Sequence, residues 1–184
     1  AIPSMIGQLI SVLYNIVDRI FVGNLPLNGE ISLIGVGVCS PIVTLITSFA
    51  FLVGLGGAPM FSIALGEKNY QKAKKILSNA LLMLIVVSLV LMIVFYMFSE
   101  PILFLFGASE ASISYALDYL HVYLIGTFFS LLTLGLVQYL TAQGESFKAM
   151  LTTIIGCIIN VGLDPLFMYV FSLGVKGAAL ATVI

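Results

Sequence analysis

The sequence predicts an all-α fold, a polytopic bundle of membrane helices, on three observations. The 184 residues are 61% hydrophobic and 8% charged, against roughly 25% charged in a globular domain. Mean hydropathy is +1.20. The charges also cluster between long uncharged runs. A spanning helix needs about 20 apolar residues. Residues 76–99 and 122–144 supply 24 and 23 without a charge, and the 36 residues between Glu30 and Glu67 hold a third span. Residues 2–24 form another despite Asp18, and 149–171 another despite Asp164. The predicted spans are therefore 2–24, 32–58, 79–99, 115–142 and 149–171, with a sixth begun at 177–184.

A net charge of −1 with seven basic residues excludes a nucleic-acid face. Cys39 and Cys157 lie within apolar runs and read as small packing residues rather than a disulfide framework. "GLGG" at 54–57 lacks the Lys-Ser/Thr of a phosphate loop, so no nucleotide or other cofactor is expected. The start "AIPSMIGQ", without an initiator Met, and the end within an apolar run predict a piece of a longer protein.

The charges divide between the two sides of the bilayer. Lys68, Lys72, Lys74, Lys75 and Lys148 fall in the connections after the second and fourth spans. Glu30, Glu100, Glu110 and a single lysine, Lys176, fall in the others. The positive-inside rule places the lysine-rich connections, and the N-terminus with them, in the cytoplasm. Tyr115, Tyr119 and Tyr123 at the head of the fourth span suit an aromatic belt at the outer interface.

Two carboxylates inside spans require a physical reason, since each costs at least about 2.5 kcal/mol at the centre of a bilayer. In the first span Ser4, Gln8, Ser11, Asn15 and Asp18 recur every three or four residues, a single polar stripe on an otherwise apolar helix. Such a stripe faces protein or water. The fifth span repeats the pattern with Thr153, Gly156, Asn160 and Asp164, and the fourth adds Thr127, Ser130, Gln138 and Thr141 along one side. The third has only Ser88 in its middle and is expected to lie against lipid.

Asp18 and Asp164 both sit about 10 Å from the outer end of an outward-running span, at 1.5 Å per residue. Thr182 in the sixth span falls at a similar level, and Asn160 one turn deeper. Asp18, Asn160, Asp164 and Thr182 thus form a candidate site for a proton or a small cation such as Na⁺, which prefers hard oxygen ligands. No structural metal is expected. Gln8, Ser11, Asn15 and Gln138 are expected to line a substrate cavity. The plain alternative for Asp18 is an ion pair with Arg19 at a span end, and for Asn160 and Thr182 it is interhelical hydrogen bonding. Pro165 beside Asp164, with Pro41 and Pro3 in the second and first spans, is expected to bend its helix by removing a backbone donor. His121 is one turn from Asp118 and could pair with it near the outer surface.

The opening "AIPSMIGQLISVLYNIVDRIFVGN", the connection "ALGEKNYQKAKKIL", the "NVGLDPLFMY" of the fifth span and the "GVKGAALATVI" leading into the sixth resemble, in order and spacing, multidrug and toxic compound extrusion (MATE) transporters. The resemblance covers the whole chain. It implies the N-terminal six-helix lobe of a twelve-span protein, with the C-terminal lobe outside this sequence, and a cation site at the positions of Asp18, Asn160, Asp164 and Thr182. Pro3 matches a first-span proline linked to helix bending. The implied activity is export of amphipathic organic cations against inward H⁺ or Na⁺, with drugs and the bilayer as partners, in a bacterial-type inner membrane. A flippase for lipid-linked saccharides would need inward-facing Arg or Lys. An intramembrane aspartyl protease would carry GxGD, and Asp164 follows "VGL" instead.

Overall fold

The computed structural model describes residues 2–26 and 29–184, with side chains from Met5 onward in the first helix. Pro3 and Ser4 therefore fall outside the described side chains. The chain forms α1 (Ile2–Gly23), α2 (Gly29–Gly66), α3 (Tyr70–Met97), α4 (Ser99–Leu105), α5 (Ile113–Ala142), α6 (Ser146–Pro165) with a π-helical continuation over Leu166–Val170, and α7 (Val175–Val183). Among the described residues five helices are long and apolar enough to cross a membrane, and α7 supplies the start of a sixth.

Several boundaries differ from the sequence prediction. α2 has 38 residues, about 57 Å at 1.5 Å each, and so extends well beyond a hydrocarbon core of about 30 Å. Pro41 and Pro59 both lie inside it without ending it. It ends instead where Lys68 takes a positive φ of 58° and Asn69 caps α3, its Oδ1 accepting the Lys72 N–H at 3.0 Å. The segment after α3, expected as a plain connection, folds a turn and more as α4.

Small residues set the packing. α2 and α5 share the most extensive interface. A Cβ on Gly57 would fall on the Tyr139 hydroxyl, and one on Gly54 would press on Gln138. The Tyr139 hydroxyl donates to the Val53 carbonyl at 3.1 Å, and its ring meets Phe61 edge-on at 5.5 Å. Further along the same seam Cys39 Sγ reaches the Ala116 carbonyl at 3.3 Å. α3 packs on α2 and α5 and turns its other face outward. α7 wedges between α5, at Gly126 against Val183, and the π segment, at Gly177 against the Phe167 and Met168 backbone.

Candidate cation site

The second large interface joins α1 to α6. The two helices run parallel, because Gly7 meets Met150 near their starts and Phe21 meets Tyr169 near their ends. The Tyr169 hydroxyl donates to the Phe21 carbonyl at 2.8 Å, with the rings edge to face at 6.5 Å. Asp18 lies three residues before Phe21 and Asp164 five before Tyr169, so this pairing sets the two carboxyls at one level.

Both are buried, Asp18 at 7% exposure and Asp164 at 0%, and Asn160 one turn along is 6% exposed. Asp18 Oδ1, both oxygens of Asp164 and both amide atoms of Asn160 have no hydrogen-bond partner among the described residues. Buried polar atoms are normally paired, so five orphans in one cluster mark a place built to hold something. Arg19 makes no ion pair with Asp18 among the described residues: its Nη2 donates to Ser40 Oγ on α2 at 2.8 Å.

Local backbone chemistry adds a further oxygen. Pro165 has no N–H to give the Val161 carbonyl, its partner in an unbroken α-helix. The Leu166 N–H bonds to Leu163, and from there the chain widens into the π segment. π-Helical turns recur at functional sites, and this one begins directly after Asp164 and Pro165. The Val161 carbonyl thus stands one turn below Asp164 without its helical donor.

Thr182 is half-buried on α7, which packs on α5, α6 and the π segment and only marginally on α1, and its hydroxyl bonds to the Ala178 carbonyl at 2.9 Å. Along the rest of the α1 stripe Gln8 and Asn15 are exposed and Ser11 half-buried, with the Asn15 amide turned back to the Ser11 carbonyl at 2.7 Å. Gln138 leans on Gly54 in the α2–α5 seam.

Two sequence expectations are corrected. Tyr119 and Tyr123 are not belt residues: they are 6% and 4% exposed and stack at 6.1 Å with an interplanar angle of 11°. Tyr14 lies one turn before Asp18 on α1. The burial of Tyr119 and Tyr123 was signalled by the spacing Tyr119, Tyr123, Thr127, which the buried face of α5 shares. His121 does not pair with Asp118, which bonds Lys176 at 3.2 Å; His121 Nε2 instead meets Ser99 Oγ at 3.2 Å, and its ring lies 4.7 Å from that of Tyr96.

The long apolar helices, with two carboxyls buried between two of them, define a polytopic membrane protein. The particular family follows from comparison with known proteins. The MatE family profile matches residues 3–166, and the chain belongs to that family. Across its whole length it is 33% identical to the multidrug export protein MepA of Staphylococcus haemolyticus and 32% identical to that of Staphylococcus aureus strain NCTC 8325. It spans 40% of the length of either relative. Among solved structures it superposes on a MATE protein in the bent conformation with a TM-score of 0.91 at 29% identity, covering 100% of this chain and 40% of that one. A straight conformation gives the same score and identity over 99% of this chain and 40% of that one. MATE proteins are transporters and not enzymes, so the protease alternative is set aside.

Proposed function

We propose that this chain is the N-terminal lobe of a secondary active exporter that moves amphipathic organic cations outward in exchange for H⁺ or Na⁺. The observation that carries the reading is the pair Asp18 and Asp164, level with each other between parallel helices, buried, and without an ion-pair partner among the described residues. Two carboxylates side by side in a low-dielectric layer are stabilised by a shared proton or a bound cation, and the Asn160 amide and Val161 carbonyl add the hard oxygens such an ion favours.

Coupling requires that the ion bind two arrangements of the helices with unequal affinity, since equal affinity shifts nothing. The α-to-π junction at Pro165 is the element best placed to differ between them, because it lies beside the ion and its backbone bonding is already irregular. Thr182 joins the ion's ligands in the arrangement that brings α7 closer, and Gln8, Ser11, Asn15 and Gln138 border the drug path. The lysine-rich connections and the N-terminus lie in the cytoplasm of a bacterial-type cell, with a second lobe completing the cavity.

The test is drug export by the complete transporter in vesicles under separately imposed proton and sodium gradients. Export driven by one of the two, and lost in Asp164→Asn with membrane insertion unchanged, is the expected result. Undiminished export by that variant would refute the mechanism.

A further inference from the structure

α3 carries a second polar feature, remote from the cation site. Gln71, Lys74, Lys75, Ser78 and Asn79 line a shallow groove along the first turns of the helix. Their spacing of three, one, three and one places them on a single face. Lys72 is drawn to Glu67 at 3.7 Å, and Lys148 to Glu145 at 3.0 Å, whereas Lys74 and Lys75 have no acidic partner among the described residues. Two free ammonium groups flanked by a hydroxyl and an amide form a donor set for a phosphodiester.

The same face continues down the helix as an exposed apolar stripe. Leu82, Val86, Leu89, Ile93 and Met97 fall within the arc defined by the groove residues, and all are exposed, Leu82 at 64%. From Leu82 to Ile93 the stripe runs about 16 Å at 1.5 Å per residue, close to half of a hydrocarbon core of about 30 Å. A cationic, hydrogen-bonding head above one leaflet's depth of apolar surface complements an anionic phospholipid in shape and charge. A soluble phosphate would use the head alone.

We propose that this face of α3 binds an anionic phospholipid, its phosphodiester held by Lys74, Lys75, Ser78 and Asn79 and an acyl chain laid along Leu82 to Ile93. The site concerns lipid and stands whether or not the ion coupling is as described above.

The experiment uses the complete transporter, delipidated in detergent and titrated with phosphatidylglycerol while bound lipid is counted by native mass spectrometry. Phosphatidylglycerol should bind more tightly than phosphatidylcholine of equal chain length, and glycerophosphoglycerol, the head alone, should fail to compete. K74Q/K75Q should weaken phosphatidylglycerol by about thirtyfold, from roughly 1 kcal/mol per lysine at about 1.4 kcal/mol per decade. Lys148→Gln, a charge change on the same side but on α6, should leave it unchanged. Leu82→Gln should weaken the lipid with the lysines intact. Equal binding of the two lipids, equal loss in Lys148→Gln and K74Q/K75Q, or full competition by the head alone would each overturn the proposal.

Discussion

Tyr169 donates its hydroxyl proton to the carbonyl of Phe21 across 2.8 Å, and this bond between residues 148 positions apart locks the register of α6 against α1. Asp18 and Asp164 stand at one level because that register holds. Tyr169→Phe should therefore lower thermal stability by about 1 kcal/mol, the usual net worth of one hydrogen bond. It should also reduce coupled export more than that loss predicts. A variant destabilised by this amount but fully coupled would show that the register is fixed elsewhere.

Arg19 is bound to Ser40 and not to Asp18. Arg19→Gln should thus retain gradient-driven export while Asp18→Asn loses it, as measured in the same vesicle assay. If both variants fail alike, Arg19 is the counter-ion and the pocket is an ordinary ion pair.

Pro165 withholds a donor from the Val161 carbonyl. Pro165→Ala restores it, and the oxygen is then engaged within the helix. The concentration of coupling ion needed for half-maximal export should rise, even though the helix itself becomes more regular. An unchanged ion requirement would remove Val161 from the site.

At the α2–α5 seam, a Cβ on Gly57 collides with the Tyr139 hydroxyl. Gly57→Ala should destabilise the bundle by about 1–3 kcal/mol, the range for overpacking. Adding Tyr139→Phe should recover part of the loss, because the ring carbon beneath remains tight at 2.9 Å. Thermal unfolding of the single and double variants checks both statements.

The spans were legible because charge is excluded from hydrocarbon: the uncharged runs locate all five long helices, though α2 runs eight residues beyond its predicted end and α3 starts nine before its predicted start. Asp18 and Asp164 stood out for the same reason, and counting 1.5 Å per residue from the span ends put them at one depth. What escaped the sequence depended on partners. Tyr119 and Tyr123 have a spacing that suits an interfacial belt as well as a buried face, and only the packing of α2 and α7 on α5 decides between them. His121 and Asp118 are good neighbours on an isolated helix, yet α4 and α7 bring Ser99 and Lys176 as competitors. Pro165 announced an irregularity without saying that it would take π form. The second span, expected at 32–58, continues as helix to Gly66, with Phe61 set against Tyr139 of α5.

The most direct measurement is a double-mutant cycle on gradient-driven export with Asp18→Asn, Asp164→Asn and both together. Residues that hold one ion act as a unit, so each single variant should fall to the no-gradient background and the double should lose nothing further. Two partial losses that add independently would mean that the carboxyls serve separate sites, contrary to the shared pocket described here.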